Sequence, residues 1–207
     1  ADWDRAVDAP LRWAAQDDAV LFTAEDRGRR HLFQIALDAH TPQPVARGGW
    51  VQGFDCAGDM IVTVADAMHH PARVHAQRAG SDEPPLRLER FNDELLAPFR
   101  FNPGEEVEVR GANGEPVQMW LTFPPGFNNG AKGRKYPLLH SIHGGPHACT
   151  GDTFHYRWNS QVFAARGYVV AGVNYPGSSS FGFDFLDSIT HRWGKLELQD
   201  VEAGTDW

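Results

Sequence analysis

The sequence predicts two architectures in series: a repeating all-β region over residues 1–95, then an α/β domain over 96–207 with parallel strands and intervening helices. Three observations carry this expectation. Two segments of the first half repeat at an offset of 41 residues. Residues 105–123 alternate apolar and polar in the manner of a hairpin. Beyond residue 135, apolar runs of strand length alternate with stretches of helical spacing.

The repeat comes first in the chain. DDAVLFTAEDRGRRHLFQI starts at Asp17 and GDMIVTVADAMHHPARVHA at Gly58. Asp18 matches Asp59, Val20 matches Ile61, Leu21 matches Val62 and Glu25 matches Asp66. Each copy has an apolar strand (19–24, 60–65), a polar turn and a second strand (31–37, 72–77). A period of about 40–45 residues with several short strands suits the blades of a β-propeller. Two blades cannot close a ring, so the remainder is expected upstream.

The hairpin follows. Val107 and Val109 alternate with charged residues, Asn113-Gly114 supplies the turn, and Val117, Met119 and Leu121 alternate on the return strand. PPGFNNGAKGRK (124–135) is a loop rich in Pro, Gly and Asn. Tyr136–Ile142 then reads as a short apolar strand. Phe154, Trp158, Val162 and Ala165 have helical spacing over 154–166, and Gly167 is a stop signal. The near-continuous apolar run 168–175 fits a strand covered on both faces. A PGSSSFG loop leads into a helix over 181–192, with Phe181, Phe185 and Ile189 on one face, and another helix starts at Leu196.

The chemistry is concentrated in LLHSIHGGPHACTG, residues 138–151. An HGGPH stretch after a buried strand places two residues without Cβ where the chain turns toward a helix. Their N–H groups are then free to face a ligand, as an oxyanion hole requires. In α/β-hydrolases such a donor comes from an HGGG-type motif after an early strand. A tight strand-to-helix turn without catalytic role is the alternative reading of these residues.

Further stretches add to this one. They are FNDELL (91–96), the hairpin EEVEVRGANGEPVQMWLTFPPGF, KYPLLHSIHGGPH (135–147), GYVVAGVNYPGSSSFGFDFLDSI (167–189) and RWGKLELQDVEAGTDW (192–207). In these stretches, from about residue 95 onward, the chain resembles the prolyl oligopeptidase family of serine peptidases. It looks most like the acylaminoacyl-peptidase and dipeptidyl-peptidase branch. The resemblance implies the N-terminal part of an α/β-hydrolase (parallel sheet with helices), preceded by the last blades of a β-propeller. It implies a Ser nucleophile, a His base and an Asp that orients the His, acting on short peptides without a cofactor. The nucleophile belongs in a G-x-S-x-G elbow, which this sequence lacks. Gly177-Ser178-Ser179-Ser180-Phe181 imitates it but ends in Phe and falls one strand early. The triad is therefore expected beyond Trp207, and the chain is expected to be an internal fragment, inactive alone. Gly145 is the first choice for the oxyanion-hole donor and Gly144 the second. The dipeptidyl-peptidase branch has a Tyr where His143 stands, so here the donor is main chain or imidazole. His143 is expected to brace the loop.

Other residues are read more plainly. His140, His143 and His147 have ligand-like spacing, but Gly-Gly-Pro precludes the helix such a metal site needs, and no metal is expected. His69, His70 and His75 read as solvated residues around a blade turn, and so do the acids Glu25, Asp26 and Asp66. Asp200 and Glu202 stand at i, i+2 and read as surface charge. Cys56 and Cys149 read as buried thiols. The net charge of −8 comes without a basic stripe, which argues against nucleic acid. No apolar run approaches the ~20 residues of a membrane span. The first residues lack signal-peptide form, which fits a chain that begins mid-protein. The compartment, cytoplasmic or periplasmic, and a homo-oligomer both stay open. Two rival functions remain: an esterase or lipase with an HGG loop, and a propeller-bearing binding protein with a degenerate hydrolase domain.

Overall fold

A computed structural model describes residues 3–128 and 135–207. Part of the loop expected over 124–135 thus lies outside the described residues. The chain divides into two compact units, residues 1–99 with 151–154, and residues 100–150 with 155–207.

The first unit is antiparallel. Its strands are β1 (Val7–Trp13), β2 (Ala19–Asp26), β3 (Arg29–Ala36), β4 (Gln43–Ala46), β5 (Trp50–Ala57), β6 (Met60–Ala67), β7 (His70–Arg78) and β8 (Leu86–Arg87). β1 to β4 form one four-stranded meander and β5 to β8 a second. A single parallel pair, Arg30 with Trp50, joins them. The 41-residue offset maps β2 onto β6 and β3 onto β7. Adjacent side chains on a strand point to opposite faces. Leu21 accordingly enters a cluster with Leu32, Phe54 and Ile61, while its neighbour Phe22 packs with Ala24 and Phe33 on the other face. A short helix, α1 (Asp93–Leu96), follows β8. The segment 151–154 also belongs here: the Met68 N–H donates to Asp152 Oδ1, and Thr153 Oγ1 donates to Asp66 Oδ1.

The second unit holds a four-stranded sheet in the order β11-β12-β10-β9. β9 (Glu105–Arg110) and β10 (Pro116–Thr122) are the hairpin, in register from Arg110–Pro116 to Glu105–Leu121. β11 (Leu138–His140) and β12 (Val169–Val173) are parallel, whereas β12 runs antiparallel to β10. The sheet is thus mixed, not the parallel sheet expected: only the crossover pair is parallel, because the hairpin supplies the other two strands. β10 and β12 are central and their residues are nearly all buried. Val109, Val117, Met119, Leu121, Ala171, Val173, Tyr175 and Ile189 make the core.

The helices are shorter than their spacing suggested. α2 covers Ser160–Ala164 only. His155 Nδ1 accepts from the N–H groups of Arg157 and Trp158, and the Asn159 side chain then caps Gln161 N–H, which sets the start. Gly167, at φ +96°, ends the segment in the left-handed region. The supposed inner face is exposed at Trp158 and Val162. α3 covers Phe183–Asp187. There the Ser188 hydroxyl donates to the Phe185 carbonyl and Thr190 Oγ1 to Asp187, local bonds that compete with helix continuation. α4 (Leu196–Asp206) is the longest helix described.

Candidate functional site

The loop after β11 is stitched to the loop after β12. His147 Nδ1–H donates to the Gly177 carbonyl at 3.1 Å, and Ser179 N–H donates to the Ala148 carbonyl at 3.0 Å. Beyond these, Asn174 is fully buried and fixes residue 150: Thr150 N–H donates to Asn174 Oδ1 at 2.7 Å, and Asn174 Nδ2 donates to the Thr150 carbonyl and to Gln118 Oε1.

His143 stacks on Tyr175 with ring centroids 4.3 Å apart and nearly parallel planes. The Tyr175 hydroxyl donates to the His143 carbonyl at 2.5 Å. His143 Nε2 lies 2.8 Å from Ser178 Oγ, and Ser178 Oγ lies 2.6 Å from the Tyr175 carbonyl. A carbonyl only accepts, so the single hydroxyl proton of Ser178 goes to Tyr175 O. His143 must then supply the proton in the shorter of its ring contacts and carries it on Nε2. Burial lowers the His143 pKa and favours this neutral ring, and the nearby Gly144 carbonyl pulls weakly the other way. This Ser–His pair has the wrong polarity for an activated nucleophile: the imidazole donates instead of accepting, and Ser178 has no exposed surface. His143 is a loop brace.

Between these anchors lie Gly144 and Gly145, both exposed. Among the described residues neither amide N–H donates a hydrogen bond. Gly145 sits at φ +129°, and a Cβ there would lie 2.9 Å from His147 N and 3.1 Å from Ala148 N. A Cβ on Gly144 would meet none of the described residues within 4 Å. The two amides thus stand at a surface, on a backbone pinned on both sides. The helix expected over 154–166, after HGGPH, forms only over Ser160–Ala164.

The remaining residues singled out in the sequence are dispersed. His140 Nε2 pairs with Thr205 Oγ1 at 2.8 Å, so His140, His143 and His147 face three different partners. Asp66 is not a solvated turn residue: it is 3% exposed, because Gln52 Nε2 and Thr153 Oγ1 both donate to its carboxylate. His69, His70 and His75 are half-buried rather than solvated and line a cavity of about 430 Å³ in the first unit, with Arg47, Asp66 and Asp152. Burial lowers the pKa of His70 and of His75. Cys56 and Cys149 are half-buried and outside any disulfide among the described residues, less covered than expected. Asp200 overturns its reading most clearly. It is fully buried, accepts the Ala112 N–H on Oδ1 at 2.6 Å and leaves Oδ2 without a partner among the described residues. Burial, with Glu115 and Glu197 nearby, pushes its pKa up to about 6 against the pull of Ala112 N–H. Spacing within α4 gave no sign of this, since the burial comes from the hairpin turn packed over the helix.

Comparison with known proteins adds a family and a fold. Residues 154–207 match the family described as the prolyl oligopeptidase family. Probable dipeptidyl-peptidase 5 of Trichophyton verrucosum is 32% identical over 206 residues, covering 97% of this chain and 28% of that protein. Dipeptidyl-peptidase 5 of Aspergillus oryzae is 32% identical over 215 residues, covering all of this chain and 28% of that protein. The chain therefore spans about 28% of the length of the curated relatives it matches. Among solved structures, Pyrococcus horikoshii acylaminoacyl peptidase superposes with a TM-score of 0.80 at 23% identity, over 99% of this chain and 31% of that one. An acylaminoacyl peptidase bound to Z-Gly-Gly-Phe-chloromethyl ketone gives 0.82 at 24% identity, over 99% and 31%. Porphyromonas gingivalis dipeptidyl peptidase 4 gives 0.74 at 20% identity, over 100% and 29%. The fold is shared with these proteins and agrees, at that coarse level, with a propeller followed by an α/β-hydrolase domain.

Proposed function

The chain belongs to the prolyl oligopeptidase family, and from that premise we propose that it is part of a serine peptidase that cleaves short peptides, of dipeptidyl- or acylaminoacyl-peptidase type. The first unit is then the last blades of the propeller and the second the start of the hydrolase domain, with the nucleophile carried by residues C-terminal to Trp207. In this reading Gly145 and Gly144 are the main-chain donors of the oxyanion hole.

The observation that carries the proposal is the pair of unpartnered, exposed amides on a braced loop at the end of β11. When a serine oxygen adds to a peptide carbonyl, the carbonyl oxygen becomes an alkoxide. Donors already aimed at that oxygen stabilise it without reorganising, and removing one such donor typically costs about 2.7–4 kcal/mol of transition-state stabilisation. Collapse expels the amine and leaves the acyl group on serine, and water then releases it. The chemistry asks for no cofactor. The likeness to a peptidase crystallised with a peptidyl chloromethyl ketone supports a short peptide as substrate, and a homo-oligomer stays open.

The test uses the full-length protein and the 207-residue chain side by side. A fluorophosphonate is expected to label the former stoichiometrically and not the latter. The full-length protein is expected to hydrolyse aminoacyl or N-acyl-aminoacyl anilides. Turnover of aryl esters alone would favour the esterase reading. Labelling of the 207-residue chain would place the nucleophile within it and sink the proposed division of labour.

A further inference from the structure

We propose that His31 is a pH-sensitive clasp between the two β-meanders: neutral, it holds the connecting turn at Gly48, and protonated, it releases that turn and loosens the rim of the cavity beside it. The turn, residues 47–49, leads from β4 into β5 and so from one meander to the next. Two adjacent residues of β3 hold the turn and the start of β5. Arg30 N–H donates to the Gly49 carbonyl at 3.2 Å, and the Arg30 guanidinium donates to the Val51 carbonyl at 3.0 Å. Gly48 N–H donates to His31 Nδ1 at 3.3 Å. The Arg30 bonds are indifferent to mild acid, because neither a main-chain N–H nor a guanidinium titrates there. The His31 bond is not. Gly48 N–H can only donate, so Nδ1 must offer its lone pair, and the ring is neutral with its proton on Nε2. A proton on Nδ1 turns the acceptor into a second donor, and the bond is lost.

The surroundings favour release over accommodation of the charge. The ring is half-buried and meets Phe33 edge to face. Arg29 at the start of β3 and Arg47 in the turn act on it, against one carboxylate, Asp26 at the end of β2. Burial lowers the His31 pKa most, Asp26 raises it, and the two arginines lower it further. The clasp is therefore intact above the ordinary value of 6.5 and is lost as pH falls through the lowered one. Gly49 stays in place: it is buried, and a Cβ there would collide with the Asp66 carbonyl. What the release frees is Arg47 and Gly48. Both are exposed, and both line the cavity shared with His69, His70 and His75.

Hydrogen exchange of the full-length protein tests this, read at Gly48 from overlapping peptides across 44–50 by mass spectrometry and corrected for the intrinsic pH dependence of exchange. In the wild type, protection at Gly48 is expected to fall about three- to tenfold from pH 7.5 to pH 5, while peptides from β3 and β6 keep theirs. His31→Asn offers Oδ1 in about the place of Nδ1 and does not titrate, so it is expected to keep the protection at both pH values. His31→Leu, which has no acceptor, is expected to lack it at both. Equal wild-type protection at the two pH values overturns the proposal, and so does wild-type protection in His31→Leu at pH 7.5. An acid-induced loss that persists in His31→Asn assigns the effect to another group, such as His70 or His75, and overturns the clasp. Joint loss across 44–50, β3 and β6 means that the meanders unfold as a whole and overturns the local release.

Discussion

Gly145 and Gly144 are adjacent and chemically identical, yet the backbone makes opposite demands on them. At φ +129° an L residue is strained, and a Cβ on Gly145 runs into the backbone nitrogens of His147 and Ala148. Gly144 has room for a methyl group. Gly145→Ala is therefore expected to destabilise the chain by about 1–3 kcal/mol, while Gly144→Ala stays within about 0.5 kcal/mol. Urea unfolding of the two variants separates them, and equal midpoints would show that the loop relaxes freely. The sequence made the two glycines conspicuous but ranked them on motif position alone. The bracing of His143, just before them, by Tyr175 and Ser178 comes from residues more than 30 positions away, and no local pattern encodes that pairing.

The elements were legible where periodicity coincided with burial. β2 and β6, the hairpin, β12 and α4 fall close to their expected places because alternating or continuous apolar residues there do face a core. α2 failed because Trp158 and Val162 have helical spacing but stay exposed, so no packing rewards the longer helix. α4 was found, but its burial was misjudged at Asp200. A buried carboxyl raised to about 6 from 3.8 binds its proton more tightly folded than unfolded. Its stabilising contribution is complete below about pH 4 and is lost as pH rises through about 6. Asp200→Asn keeps an acceptor for Ala112 N–H and removes the charge. It is expected to be more stable than wild type at pH 7.5, by on the order of 2 kcal/mol, with the gap closing toward pH 4. A gap that widens on acidification would reverse the assignment. The loop-to-strand anchor at Asn174 makes a second test at this scale. Asn174→Ala removes the acceptor of Thr150 N–H and a donor to Gln118 Oε1, at a cost of about 2–3 kcal/mol by thermal or urea unfolding; an Asn174→Ala variant with wild-type stability would mean that water replaces the side chain.

At the scale of the whole molecule, the 41-residue offset located two meanders of like construction because propagating a repeat needs only local hairpins. The mixed sheet order was hidden, because strand order is set by crossovers that leave no periodic trace. Charge, by contrast, is readable from composition alone, and it sets a conflict with Asp200. The chain carries −8 near neutrality and has an isoelectric point near 5.6. Acidification from pH 7 toward that point removes the repulsion that keeps molecules apart. It does so in the same range in which protonation of Asp200 adds stability. Large apolar side chains such as Phe91, 88% exposed, and Leu95, 71% exposed, are then available for contact between molecules. Solubility and fold stability should therefore part company: the chain is expected to precipitate most readily near pH 5.6 while its unfolding midpoint, measured at low protein concentration, does not fall there. Asp200→Asn, which loses the stabilising proton uptake but shifts the net charge by only one unit, should leave the solubility minimum nearly in place and flatten the stability profile. If instead the midpoint and the solubility collapsed together near pH 5.6, loss of native structure rather than loss of charge would be driving association, and the stabilising role given to the protonated Asp200 would be wrong.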